Sequence, residues 1–382
     1  MTRVPRQSFF LFGVRGVGKS TWARKMLPDA QHFDLLDERL FHDLLADLGL
    51  FARLARASPP QRWIVVDEVQ RLPPLLNEVH RLIAEGRRVA LLGSSARKLR
   101  AAGVNLLAGR ALWKQMFPLL PEELAGDFRV EEVLRHGSIP VVWTADDRAE
   151  TLESYVRLYL REEIRAESSL RNLPAFARFL PVAAVRHGQK VNVAGLSRDA
   201  GVARTTVSGY LEVLEDTLVA WRLPAFEAKL RVRERRKPKL YWVDPGLVRA
   251  ARRRLGPVGS EERGPLFEGW VLGLLRACRE RERLYDDLRY WAAAGSRIEV
   301  DAVLLRGSER LAIEVKAARR FHSSQVRGLQ AISELPGLVR RVLVYMGDHR
   351  FRTPGGIEVW PVRDFTGALE TNTLWPSSGR GG

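Results

Sequence analysis

Cysteine is almost missing: Cys278 is the single one in 382 residues. One thiol excludes an internal disulfide framework and a cysteine-based zinc site, and it suits the cytoplasm. Long apolar runs are also missing. Nothing approaches the ~18 residues that a membrane-spanning helix requires, so no membrane partner is expected. The stretch Phe9–Phe12 runs into a glycine loop with no small-residue cleavage site, so it does not read as a signal peptide. Lysine is scarce, with nine residues against 53 arginines. No repeat stands out at the usual solenoid periods.

Positive charge is plentiful. The net charge is +17, with 46% apolar residues. That apolar fraction supplies real cores, and the length suits two or three domains. Excess positive charge favours an anionic partner, most often nucleic acid, although a GC-rich genome also encodes arginine freely.

Ser8 to Phe12 reads as a buried strand, and Gly13-Val14-Arg15-Gly16-Val17-Gly18-Lys19-Ser20 follows it, matching G-x-x-x-x-G-K-[ST] in full. The glycines let the backbone turn several N–H groups inward towards phosphate oxygens. Lys19 is expected to reach the β- and γ-phosphates of ATP, and Ser20 to meet Mg²⁺; Thr21 continues into a helix. Gly13, Gly16, Val17, Gly18, Lys19, Ser20 and Thr21 are thus the expected nucleotide contacts. A second strand, Trp63 to Val66, ends in Asp67-Glu68. Asp67 is expected to hold the metal through water, and Glu68 to act as general base. A third strand, Arg88 to Gly93, leads to Ser94 and Ser95, either of which is a candidate contact to the γ-phosphate. Arg97 and Arg110 are candidate arginine fingers.

From Asp147 to Val185 there is no glycine, and Leu152, Tyr155, Val156 and Tyr159 recur at helical spacing. A helical lid is expected there. Val193 to Val202 reads as a helix with a turn at Gly201, and Ala203 to Tyr210 as the opening of a second helix. This helix-turn-helix rhythm places Arg204, Thr205, Thr206 and Ser208 where DNA would be met. Lys229, Arg231, Arg233, Arg235, Arg236, Lys237 and Lys239 then crowd into eleven positions with one acid, Glu234, where a winged helix has its wing. Protein contact is the alternative use of this small domain.

At the C-terminal end, Phe267-Glu268-Gly269-Trp270 begins an apolar helix. Ile298 to Leu304 and Leu311 to Lys316 read as a hairpin about Gly307. Period two puts Glu314 and Lys316 on one face, with Asp301 at matching height. An acid, a spacer and E-x-K is the arrangement of restriction-endonuclease-like nucleases. Glu268, Asp301 and Glu314 are therefore expected to bind Mg²⁺ or Mn²⁺, and Lys316 to activate water, with Gln325 nearby. Three acids meeting one lysine would be costly without a metal. The alternative is a nuclease-like fold whose charges form a buried ion-pair cluster and cut nothing.

Gly13–Thr21, IVVDEVQRL (64–72), LGSSAR (92–97), LAGR (107–110) with Phe117-Pro118-Leu119, YLREEI (159–164), PKLYWVDPGL (238–247), PLFEG (265–269), Glu299–Leu304 and Ala312–Lys316 occur in one order. In these stretches the chain resembles a prokaryotic family of AAA-type (AAA+) P-loop ATPases with a winged helix and a C-terminal restriction-endonuclease-like domain. Glu162-Glu163 departs from that pattern, where an Asp is frequent. The resemblance implies an α/β fold with a P-loop ATPase core over 1–120 and a helical lid over 121–188. It further implies a winged helix over 189–255, a PD-(D/E)xK-type domain over 256–370 and a flexible tail over 371–382. The expected function is an ATP-hydrolysing, DNA-processing machine that assembles as a homo-oligomeric ring, such as a hexamer, and acts on branched or broken DNA. The alternative is an ATP-dependent switch whose C-terminal domain binds DNA or protein without cleaving. A small-molecule P-loop kinase is disfavoured by Asp67-Glu68 and by the appended basic segments.

Overall fold

Four consecutive large apolar residues ahead of the glycine loop can be buried only in a strand covered on both faces, as in a parallel α/β sheet. That is what they form in the computed structural model, which describes residues 3–95, 97, 99, 107, 109–160, 173–227, 237–293 and 298–376. Strand β1 (Phe9–Phe12) puts Phe10 and Phe12 into one apolar cluster and Phe9 and Leu11 into another. The period of two divides the strand between the layers on its two faces. With β2 (Gln31–Asp34), β3 (Ile64–Asp67), β4 (Val89–Gly93) and β5 (Leu112–Gln115) it makes a sheet of order β2-β3-β4-β1-β5. Every pairing in it is parallel. The carboxyl ends of β3, β4 and β1 therefore line one edge, which is where such sheets bind ligands.

The chain forms two compact units, one of Met1–Leu119, Ile139–Ala177 and Thr205–Ala220, the other of Leu120–Ser138, Arg178–Arg204 and Trp221–Gly382. The first holds the parallel sheet. The expected lid, 121–188, is divided between the units. Its helical character is present in the first, where Arg148–Ser154 runs into a wider π-type turn, Tyr155–Leu160, with Leu152, Tyr155 and Val156 buried.

Helices Val193–Ala200 and Arg204–Asp216 appear where the helix-turn-helix reading put them, with Gly201 left-handed between them. The unit boundary nevertheless falls at Arg204/Thr205. The second helix buries Val207, Tyr210, Leu211 and Leu214, and Tyr210 meets Phe176 edge-on at 5.1 Å in the first unit. The apolar face that marked it as half of a reading head is used for this packing.

The second unit has two sheets. β6 (Gln189–Lys190), β7 (Ala220–Leu223) and β8 (Lys239–Trp242) form one, in the order β6-β8-β7. The other contains β9 (Asp287–Ala292), β10 (Glu299–Arg306), β11 (Glu309–Lys316), β12 (Leu338–Tyr345), β13 (Phe351–Arg352) and β14 (Glu358–Pro361). Its order is β13-β14-β12-β11-β10-β9. β10 and β11 form the expected antiparallel hairpin, while β11-β12 and β12-β14 pair in parallel. The helix Ser260–Glu282 carries the PLFEG segment. Among the described residues no helix is long and apolar enough to cross a membrane.

His187 makes this unit acid-sensitive. Its Nδ1 accepts the Trp242 N–H at 3.1 Å, which requires a neutral ring, and burial lowers its pKa to about 4. Because the folded value lies below the ordinary 6.5, its contribution is complete above 6.5 and lost as pH falls towards 4. The expected loss is about 3 kcal/mol. Thermal unfolding between pH 7 and 4.5 should show a steeper decline for the parent than for His187→Gln, which keeps an acceptor but does not titrate. Equal slopes would refute the assignment.

Candidate functional site

The loop after β1 needs a left-handed backbone at Gly16 and Gly18, with φ of 72° and 94°. A side chain at Gly16 would also strike Val141, 2.5 Å from the built Cβ. The segment holding Val141 and Tyr155 thus lies directly on the loop: Val141 N–H donates to Gly16 O at 3.3 Å, and Tyr155 Oη donates to Arg15 O at 2.8 Å. Lys19 opens the helix Lys19–Met26 and is buried; its ammonium donates to Gly13 O at 2.8 Å and Val14 O at 3.3 Å. Val17 is buried, Ser20 half-buried, and Thr21 exposed. This is a curled backbone with a cation turned into it, and it fits a phosphate chain.

Asp67 ends β3, buried, and its Oδ1 accepts the Glu68 N–H at 3.0 Å. Glu68 is itself left-handed, with φ 56°. Pairing of β1 with β4 and of β3 with β4 sets these two acids beside the glycine loop. Asp67 and Ser20 are the residues suited to hold Mg²⁺, which would screen the phosphate charge.

Sequence reasoning missed Gln70. This buried side chain donates from one amide nitrogen to Glu68 Oε2 and to Ser94 Oγ, the latter at 2.9 Å. It ties the expected base to the end of β4. The signal was available, since Gln70 stands two positions after Glu68, but a glutamine in a turn has many uses. The tie also distinguishes the two serines. Ser94 Oγ accepts from Gln70, whereas Ser95 Oγ accepts the Arg97 N–H at 3.1 Å. Arg97 is engaged by Asp216 at 3.0 Å, whereas Arg110 is exposed.

In the second unit, Asp301, Glu314 and Lys316 come together as expected. Asp301 Oδ2 accepts the Val315 N–H at 2.9 Å, and Lys316 Nζ lies on Glu314 and 3.8 Å from Asp301. Glu268 joins them from the helix. The expected metal set is nevertheless not formed: among the described residues no three carboxylate, imidazole or thiolate side chains converge to hold a metal ion. The physical reason is Lys239. It was expected on the wing but is buried, with Nζ 3.4 Å from Glu268, 3.2 Å from Glu299 and 3.7 Å from Asp301. Burial opposes its charge, but Glu268, Asp301 and Glu299 outweigh that and raise its pKa. Burial and then Asp301 push Glu314 up to about 8 and Glu268 up to about 7. The premise that one lysine meets three acids is corrected, because the cluster contains a second, internal lysine. Gln325 is not brought in; its Oε1 accepts the His322 N–H at 3.1 Å at its own helix start.

Of the expected DNA contacts, Arg204 and Thr205 are exposed, Thr206 is half-buried, and Lys237 is exposed. Arg231, Arg233, Arg235 and Arg236 lie outside the described residues, as do Lys229 and Glu162-Glu163.

Residues 5–125 match the family described as an AAA domain. This segment is similar to P-loop ATPase domains of the AAA type. Residues 127–257 and 263–365 match two families described as domains of unknown function, DUF8612 and DUF4143. The chain is 29% identical over 359 residues to uncharacterized protein Rv2008c of Mycobacterium tuberculosis, covering 89% of this chain and 77% of that one. It is 21% identical over 272 residues to uncharacterized protein MJ1544 of Methanocaldococcus jannaschii, covering 63% and 61%. Among solved structures, the Walker-type ATPase PABY2304 of Pyrococcus abyssi aligns over 64% of this chain and 90% of its own, with 17% identity and a TM-score of 0.42. The ATPase assignment rests on the loop geometry and the family match rather than on that superposition.

Proposed function

We propose that this protein hydrolyses ATP and uses the cycle to act on DNA. The observation that carries the first half is the set of Lys19, at the start of the helix after β1, with Asp67 and Glu68 at the end of β3 and Glu68 tethered by Gln70. Asp67 orients the metal side of the site, and Glu68 takes a proton from the attacking water. Arg110 is exposed, as a residue acting on a neighbouring subunit's nucleotide must be, which supports a homo-oligomeric ring such as a hexamer.

The DNA half rests on charge. Arg204, Thr205 and Lys237 are exposed, and the sequence adds a basic run from Arg231 to Arg236. Replacing Arg231, Arg233, Arg235 and Arg236 with Ala should weaken binding to all sequences alike and flatten the log–log salt dependence by about 0.9 per lost phosphate contact. An unchanged salt slope would exclude this run as the binding surface. ATP turnover with linear, forked and four-way DNA tests the whole reading. A motor turns over faster on DNA, and a switch does not.

The C-terminal domain has two readings. One is Mg²⁺- or Mn²⁺-dependent cleavage through Asp301, Glu314 and Lys316, plausibly of branched or broken DNA in recombination or repair. The other is binding of DNA or protein without cleavage. The position of Lys239 favours the second.

A further inference from the structure

Four carboxylates, Glu268, Glu299, Asp301 and Glu314, face three ammonium groups in the second unit. Lys239 touches three of the acids. Lys316 touches Glu314 and Asp301, and Lys190 touches Glu299 from outside. Tyr241, on the same face of β8 as Lys239, donates its hydroxyl to Glu268. Glu314 Oε2 is buried without a hydrogen-bond partner among the described residues.

We propose that Lys239 is the resident cation of this cluster and closes it to divalent metal. A metal ion bound by Glu268, Glu299 and Asp301 would occupy the space held by the Lys239 ammonium. Two cations cannot share it, and Lys239, on β8, is only 5% exposed. The carboxylates act as an electrostatic lock that joins β8, the helix Ser260–Glu282, β10 and β11. A hydrolytic centre would instead leave its acids open to a hydrated ion. This inference deepens the non-cleaving reading of the domain, yet is tested separately from cleavage.

The test uses the full chain without nucleotide and Mn²⁺ as the probe, at constant ionic strength. Calorimetry and thermal unfolding of the parent should show no binding and no shift in midpoint up to millimolar Mn²⁺. Lys239→Ala should lower the midpoint by about 10 °C, as expected for unpaired buried charge. In that variant Mn²⁺ should bind and restore at least half of the loss, and Asp301→Asn added to it should abolish the recovery. Should Lys239→Ala fail to fold, Lys239→Met with Glu268→Gln, which removes one charge of each sign, should fold and still ignore Mn²⁺. Mn²⁺ binding by the parent that disappears with Asp301→Asn overturns the proposal, as does a Lys239→Ala protein that folds like the parent and takes no metal. Cleavage of DNA is read separately: it overturns the non-cleaving reading, whereas parental Mn²⁺ binding without cleavage overturns the lock alone.

Discussion

A chain carrying Lys19→Ala will not retain ATP, and one carrying Glu68→Gln will retain it without turning it over. The first follows from position. The Lys19 ammonium is buried and directed into the loop by Gly13 O and Val14 O, so its loss removes a cation turned into the cradle. The second follows from chemistry. A carboxamide at position 68 can still accept the Gln70 N–H through its oxygen, so the turn is kept, but it cannot accept a proton from water. Turnover should fall by about 10²–10⁴. Equilibrium binding of a fluorescent ATP analogue and phosphate release measured on the same preparations separate the two effects. Parental turnover by Glu68→Gln would assign the base elsewhere.

The largest structural effect is expected at Asp244. It is 1% exposed, its Oδ1 caps the helix Pro245–Ala251 through Leu247 N–H at 3.2 Å, and its Oδ2 accepts Ser138 N–H at 2.7 Å. Asp244→Ala removes a helix cap and orphans a buried backbone donor, together about 2–4 kcal/mol. Asp244→Asn should keep the cap yet turn an amide NH₂ towards the Ser138 N–H, leaving most of that loss. Gly137 sets the upper limit. Its φ is +76°, and a Cβ there would lie 1.8 Å from Asp244 Oδ1, so Gly137→Val should prevent this unit from folding. Urea unfolding of the three variants ranks them. A Gly137→Val protein with the parental midpoint would show that the contact relaxes freely.

The two sites differ in how much of them could be read along the chain. The phosphate loop needs eight consecutive residues, and its local backbone dictates both the glycines and the cation. Asp67 and Glu68 could be placed because an apolar strand of four residues ends on them. The hairpin of β10 and β11 was legible for the same reason, since alternation and Gly307 specify register locally. Lys239 was not legible. Within a run of basic residues it looks like one more solvated charge, and nothing in its neighbourhood separates it from Lys237. Yet Lys237 is exposed and Lys239 buried: Lys237 precedes β8, whereas Lys239 opens it, and all four residues of that strand are buried.

The sequence by itself therefore determined the nucleotide cradle, its acidic pair, the strand and helix types and the basic excess, all of which depend on residues close together in the chain. Tertiary structure alone decided which carboxylates meet which cations, that Gln70 links Glu68 to Ser94 and that the helix Arg204–Asp216 spends its apolar face on the first unit. These are contacts between distant segments, such as Lys239 with Glu268 across 29 positions. Charge and periodicity state what a residue can satisfy, and only the folded chain states what it satisfies it with.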